Sequence, residues 1–449
     1  MLELFKYLMH AFSVFKSEKK PNCINNIYST IRPLLYLCRL VGIAPITLPY
    51  NDIMGLKTYY NLKTSKVGVV HTFVLMCILT TMTVLDTIFD LSKVGKFRLI
   101  YLCEYTMSTA STLVIMLCSI KKLRENTNIV LQKISVIDHY LLENRSKVYK
   151  LHEFYLLVQV LFVMFIFSTF GICGIWIWNK SHSLTGRLLI SLCIFINDSV
   201  KFAFTILVVN NLSLIKHRFK ILNTYFTPKT NRNYSSSYNS LRRKLYGVSE
   251  LEDIKVISCT NLPVDGHEQH ARLYHLTGKI TVNIKMSDLG NLRVRTLRII
   301  HGNLCDIISV FNSLFGFQLL IMVMETFIAN ITGLYRILHG NKDSYEGASQ
   351  FVLLSGIWTL MNLAYILVIS AMCSSTCNEG QRITVLLQKL MLVPSLQTNT
   401  LSEIQMFLQQ VIQQKMKITA FDFFTLNYRM LGSYVGAITT YLLILLQYM

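Results

Sequence analysis

The twenty residues from Met430 to Met449 contain no charged side chain and no proline. A helix of that length rises about 30 Å, the thickness of a bilayer's hydrocarbon core. Similar apolar blocks recur at about 67–89, 98–120, 153–178 and 187–215, within 303–338 and within 350–373. Two soluble domains would be the first expectation for 449 residues, but 52% of the chain is apolar, only 15% is charged, and the apolar residues fall in runs of twenty or more. The chain therefore reads as an all-α polytopic membrane protein with seven transmembrane helices.

Around those spans, the order of the chain gives six segments. Residues 1–66 are a basic cytoplasmic segment; within it Ile31 to Tyr50 is apolar but broken by Pro33, Arg39, Pro45 and Pro49, which suits a helix lying in the membrane interface. Residues 67–215 hold transmembrane helices one to four, with Trp176 and Trp178 closing the third at the headgroups and 121–152 expected as a helical cytosolic connection. Residues 216–302 form a cytoplasmic linker with a mobile, polar loop at Asn231 to Ser240, and 303–373 hold helices five and six. Residues 374–429 are a cytoplasmic anchor region. There Thr400-Leu-Ser-Glu403 is a capping-box pattern opening an amphipathic helix with Leu401, Ile404, Leu408, Val411 and Ile412 as its apolar face. Residues 430–449 are the seventh helix. No internal repeat is evident, which counts against the inverted-repeat transporters.

The basic residues orient these spans. With the N-terminus inside, the cytosolic segments other than the long 216–300 stretch carry 21 Lys or Arg, against 7 in the outer loops. The N-terminus is thus expected to be cytoplasmic and the C-terminus extracellular, the reverse of G-protein-coupled receptors. The net charge of +20 then belongs to a membrane surface rather than to a nucleic-acid partner.

Other chemistry is sparse. Cys77, Cys103, Cys118, Cys173, Cys193, Cys305 and Cys373 lie in apolar segments, as free thiols do, and Cys373 with Cys377 lacks further metal ligands. His267-Glu268-Gln269-His270 has Ala271 where a zinc protease needs its second histidine, so it reads as a solvated loop. No phosphate loop or nucleophile elbow occurs, and no enzyme, cofactor or metal site is expected. Asn179-Lys180-Ser181 is a glycosylation sequon in an expected outer loop.

On the last helix Ser433, Gly436, Thr440 and Gln447 form a stripe of small or polar residues along one side. Close packing of helices accounts for such a stripe, and so does the lining of a narrow aqueous path.

Thr440-Tyr441, five apolar residues and Gln447-Tyr448 resemble the closing signature of insect gustatory receptors. The run Thr419-Ala420-Phe421-Asp422-Phe423-Phe424-Thr425-Leu426-Asn427 looks like that family's entry into the last helix. So do the basic N-terminus with Pro33, Arg39 and Gly42, and Leu304-Cys305-Asp306 followed by Phe315-Gly316-Phe317-Gln318. Asn427 stands where the family has aspartate and Tyr448 where it has phenylalanine; the first keeps a capping side chain and the second keeps aromatic bulk. The resemblance implies a tetrameric, ligand-gated, nonselective cation channel of the plasma membrane of chemosensory neurons, as a homotetramer or with related subunits, in contact with membrane lipid. It places Thr440, Ile444 and Gln447 in the pore, where carboxamide oxygens replace part of a cation's water shell. It also implies a small-molecule tastant bound in each subunit among spans two to six, in the outer half of the membrane.

Intramembrane polar groups are the candidates for that pocket. Asp198 and Lys201 are three apart on one face of the fourth span, Glu104 is within reach from the second, Gln318, Glu325, Thr326 and Asn330 lie on the fifth, and Trp358 and Asn362 are one turn apart on the sixth. An aromatic face beside amides and carboxylates suits a polyhydroxylated ligand, a sugar such as fructose; bitter compounds are the alternative, and helix locking is the structural reading of the same residues. Phe315, Phe317, Phe327 and Tyr441 are the expected couplers of pocket to pore.

Overall fold

The structure, a computed structural model, describes residues 27–47, 62–91, 96–142, 148–149, 151–161, 184–227, 270–275, 278–283, 289–339, 348–392 and 398–448. Trp176, Trp178, the sequon at Asn179 and the polar run Asn231 to Ser240 lie outside them. The described chain is helical apart from three two-stranded hairpins. In chain order the elements are α1 (Ile27–Thr30), α2 (Arg32–Leu40), β1 (Ile46–Thr47), β2 (Lys63–Thr64), α3 (Lys66–Leu91), α4 (Lys96–Leu141) and α5 (Leu151–Leu161). There follow α6 (Leu184–Thr224), β3 (His270–His275), β4 (Gly278–Asn283), α7 (Leu289–His339), α8 (Ala348–Met391), α9 (Thr398–Gln413), β5 (Thr419–Ala420), β6 (Phe424–Thr425) and α10 (Tyr428–Tyr448).

Six of these helices, α3, α4, α6, α7, α8 and α10, are long and apolar enough to cross a membrane. The third expected span is described only over Leu151–Leu161. The helices outrun the apolar blocks that start them. α7 has 51 residues, about 76 Å of helix, so more than half its length projects beyond a hydrocarbon core about 30 Å thick. It contains no proline, which is why the polar residues before position 303 continue the helix. α4 likewise carries the expected 121–152 connection as helix as far as Leu141, and α8 ends three residues before Pro394.

The chain divides into two compact units. The smaller comprises Lys216–Asp306 and Cys377–Met416. Its core sets His301 edge-on between Phe219 and Phe407, with ring centroids 5.6 and 5.5 Å away, and Phe226 against Phe407 at 5.9 Å. Asn223 Nδ2 donates to the Glu379 carbonyl at 2.8 Å, and Arg298 lies 3.5 Å from Glu403. That last pair corrects the capping-box reading. α9 opens at Thr398, Thr400 is buried inside its first turn, and Glu403 turns toward α7. The buried stripe is Thr400, Ile404, Phe407 and Val411, with Leu401 and Leu408 at its edges and Ile412 exposed. The pull of the Phe219–His301–Phe407 stack rotates the helix toward Phe407. His270 opens a strand paired with β4 rather than lying in a loop, and His267 to Gln269 fall outside the described residues.

The larger unit comprises Met1–Ile215, Ile307–Thr376 and Lys417–Met449. α2 begins with Pro33 in its first turn, as proline's fixed φ favours, and its apolar side is buried. Burial pushes the Cys38 thiol there up to about 12. Gly42 takes φ +81°, and its carbonyl accepts the Thr72 hydroxyl at 3.0 Å, tying this segment to α3.

α7 packs tightly on α8 at Gly333, where an added Cβ would run into Thr359 Oγ1 and lie 3.3 Å from Thr359 Cβ. Gly333→Ala is therefore expected to destabilise the protein by about 1–3 kcal/mol through overpacking. Thermal unfolding of purified protein checks this; adding Thr359→Ala should recover most of the loss, and an unchanged unfolding temperature in the single variant would refute the contact.

Candidate functional site

Two spans, α6 and α7, meet in one buried ionic cluster. Lys201 of α6 is 1% exposed, and its Nζ lies 2.8 Å from Glu325 Oε1 of α7 and 3.4 Å from Asp198 one turn earlier on its own helix. Asp198 and Glu325 are buried as well. The i, i+3 spacing that brought Asp198 and Lys201 together in the sequence thus forms a pair, and α7 adds a second carboxylate. Burying such charges is costly unless they are paired and hydrogen-bonded, so the cluster fixes the register of α6 against α7. Glu104 of α4 has a partner of its own. Arg336 Nη2 reaches both of its oxygens, at 2.7 and 2.9 Å, and the Thr332 hydroxyl donates to it at 2.8 Å.

The remaining pocket candidates are spread along the same helices. Asn330 Nδ2 donates to the Tyr434 hydroxyl of α10 at 2.9 Å. Gln318 Nε2 donates to the Ile115 carbonyl and to Ser119 Oγ, each at 3.1 Å, bridging α7 to α4 well away from Glu325 along the helix. Asn362 Nδ2 turns back to the Trp358 carbonyl at 3.2 Å, and Trp358 itself is half-buried. Sequence reasoning missed Arg336, Tyr365 and Tyr434. Tyr365 packs edge-on against Phe202 at 5.9 Å, and its hydroxyl is buried with no hydrogen-bond partner. A tyrosine on an apolar helix carries no periodic signal that separates it from core packing.

A hairpin leads into α10. Phe421 (φ 51°) and Asp422 (φ 60°) both occupy the left-handed region, and Phe423 N donates to the Ala420 carbonyl at 3.1 Å. These are the conformations of a turn that usually takes Asn-Gly. Thr419 Oγ1 contacts Asp422 Oδ1 at 2.8 Å, and α7 grips the hairpin: Asn312 Nδ2 donates to the Lys417 carbonyl at 2.8 Å, and Thr419 N donates to Asn312 Oδ1 at 3.3 Å. Asn427 then caps α10, its Oδ1 accepting Met430 N at 3.0 Å, so asparagine does keep the capping function.

α10 is the least buried of the six spans. Tyr434 and Ile438 are buried on one side. On the other, a Cβ added at Gly432 or Gly436 would meet nothing within 4 Å, and Ser433, Thr440, Ile444 and Gln447 are exposed. The small-residue stripe is not packed against its own chain. The aromatic residues divide by partner. Phe327 meets Tyr434 (5.6 Å) and Tyr441 (5.8 Å) of α10, Phe317 meets Phe421 of the hairpin (5.4 Å), and Phe315 meets Phe204 of α6 (5.9 Å) and Phe311 (4.9 Å). Among the described residues no group of three metal-ligating side chains occurs.

Residues 31–449 match the family model of the 7tm chemosensory receptors. The chain belongs to that family. This receptor is 25% identical to gustatory receptor 2a of Drosophila melanogaster over 184 residues, 35% of the chain and 41% of that protein. It is 34% identical to gustatory receptor 23a of the same species over 99 residues, 20% of the chain and 26% of that protein. The matched stretches thus span less than half of either relative. Its fold is that of the insect olfactory receptor OR5 from Machilis hrabei, with TM-score 0.56 at 12% identity, covering 94% of this chain and 98% of that one. The same receptor in complex with eugenol gives TM-score 0.54 at 14% identity over the same shares. The insect gustatory affinity implied by the terminal residues is supported by these relatives, and the family is one of receptors, not enzymes.

Proposed function

We propose that this chemosensory receptor is itself a ligand-gated, nonselective cation channel, assembled as a tetramer around four copies of α10 and opened by a small tastant. The observation that carries the reading is the open stripe of α10. A membrane helix with small and polar residues left uncovered by its own chain needs either other copies of itself or water against them. Thr440 Oγ1 donates to the Gly436 carbonyl at 3.0 Å, which leaves its lone pairs outward. Oxygen acceptors from Thr440 and from the Gln447 carboxamides, ringed four-fold with Ile444 between, suit weakly discriminated cations. The excess of basic residues on the inner segments supports a cytoplasmic N-terminus and an extracellular C-terminus, in the plasma membrane of a chemosensory neuron.

The tastant would lie among Asp198, Glu325, Asn330 and Asn362, with Glu104 and Trp358 around them; Gln318, turned to α4, would lie outside that pocket. A ligand opens the pore only by as much as it prefers the open state. The contacts of Phe327 with Tyr434 and Tyr441, and of Phe317 with Phe421, supply the route by which a shift of α7 reaches α10. A sugar such as fructose matches the aromatic face of Trp358 beside hydrogen-bonding groups. A bitter compound is the second reading, favoured by Asn362, whose amide is spent on the Trp358 carbonyl rather than held out for a hydroxylated ligand.

Whole-cell currents from cells expressing only this chain, under a panel of sugars and bitter compounds, test the proposal. Gln447→Ala is expected to shift the reversal potential in mixed-cation solutions, and Trp358→Ala to shift the dose response without touching permeability. Uptake of labelled tastant with no current would overturn the channel reading in favour of a transporter.

A further inference from the structure

The 21 residues of α10 contain one charged side chain, Arg429, and it stands where helix energetics disfavour it. It lies in the first turn, which has no acidic residue, and a cation there opposes the helix macrodipole. Its side chain is exposed, and among the described residues its guanidinium makes neither a hydrogen bond nor an ion pair. Arg429 and Gln447 are five full turns apart at 3.6 residues per turn, so they project from the same side of α10. Gly436 and Thr440 lie within about 20° of that line. This is the uncovered side, where a Cβ added at Gly436 meets nothing within 4 Å and Thr440 and Gln447 are exposed. At 1.5 Å per residue the arginine and the glutamine are about 27 Å apart, close to the thickness of a hydrocarbon core.

Resting on the channel reading above, we propose that four copies of Arg429 form a ring of positive charge at the mouth opposite Gln447, the cytoplasmic mouth in that orientation, and that the ring makes the pore pass cations inward more readily than outward. A cation leaving the cell is drawn from a mouth that the ring has depleted of cations. A cation entering is drawn from the outer solution, which the ring does not reach. A mouth potential of about one kT lowers the local cation concentration roughly three-fold, and summed protein charge reaches several kT. Thr440 and Gln447 lie about 16–27 Å further along α10, beyond the Debye length of about 8 Å at physiological ionic strength. The ring therefore governs how many cations reach the pore from inside and leaves discrimination among them to the far end. An arginine turned to lipid headgroups would do neither.

Inside-out patches from cells expressing only this chain test the proposal, with symmetrical NaCl and with fructose or caffeine in the pipette as probes. Wild-type inward current is expected to exceed outward current roughly two- to three-fold at equal and opposite voltages. Arg429→Gln should make the relation nearly linear and Arg429→Glu should invert it, each with the mixed-cation reversal potential unchanged. Arg429→Lys should keep the wild-type shape. Should the neutral variant fail to reach the membrane, salt decides on the wild type alone. Raising it on both sides from about 0.1 to about 1 M shortens the Debye length from about 10 to about 3 Å and should flatten the relation. A linear wild-type relation, a shape unchanged in Arg429→Gln, or rectification that survives the high salt would each overturn the inference and leave the channel reading standing. A wild type that passes no current would overturn both.

Discussion

Replacing Lys201 with methionine is expected to keep most of the receptor from reaching the cell surface. Among the described residues it is the cation that Asp198 and Glu325 share, all three buried on α6 and α7. Methionine fills much the same volume, so the loss is electrostatic. Two carboxylates would be left facing each other in a membrane interior, and removing one partner of a buried ion pair costs about 3–5 kcal/mol. That is a large share of the roughly 5–15 kcal/mol by which a folded domain is stable. Surface biotinylation against total expression measures the effect. Adding Glu325→Gln to Lys201→Met should recover part of the surface pool, since it removes one of the two orphaned charges. Wild-type surface levels for the single variant would show that the cluster does not hold α6 to α7.

The second large effect is expected at Gly316, through backbone rather than charge. A Cβ added there would sit 3.0 Å from Phe421 N and 3.4 Å from Phe421 Cα. Those are main-chain atoms of a hairpin already held in two left-handed conformations, so they have little freedom to retreat. Gly316→Ala should cost about 1–3 kcal/mol if the hairpin holds its place. If the hairpin yields instead, it carries with it the cap at Asn427 and the start of α10. Either way, ligand-evoked current should fall by more than surface expression does, which single-channel open probability distinguishes from simple loss of protein. Gly316→Ser should behave like the alanine variant, because the clash is with Cβ. Normal currents in both would mean that α7 and the hairpin are not in rigid contact.

How much of this was legible in the sequence follows from how far apart the interacting residues lie. Local features were. The apolar runs marked the spans, the i, i+3 spacing paired Asp198 with Lys201, and Asn427 before an apolar run announced a helix cap. What distance hid was the second partner. Glu325 is 124 residues from Lys201 and Arg336 is 232 from Glu104, so only the folded helices reveal which of these charges meet. The hairpin before α10 was hidden for another reason. Phe421 and Asp422 hold conformations that usually announce themselves through glycine or asparagine, and they are kept there by Asn312, Gly316 and Asp422's own contact with Thr419. The capping box misled because Thr400 and Glu403 have the right local spacing but a tertiary partner, Arg298, outcompetes the local one. Phe315, expected among the couplers, faces Phe204 of α6, whereas Phe317 and Phe327 reach the hairpin and α10; three phenylalanines within four helical turns point in different directions, which spacing alone does not reveal.

The arrangement of Lys201 also bears on how the chain is made. α6 leaves the ribosome well before α7, and at about 5–20 residues per second the 124 residues separating Lys201 from Glu325 take roughly 6–25 seconds to appear. A lone lysine at the middle of a newly inserted helix costs about 2.5–3.5 kcal/mol at the translocon. Asp198, one turn away on the same helix, travels with it and offsets the charge from the outset. The aspartate is thus the partner available to the lysine from the moment α6 inserts, whereas the 2.8 Å contact to Glu325 can form only once α7 is in place.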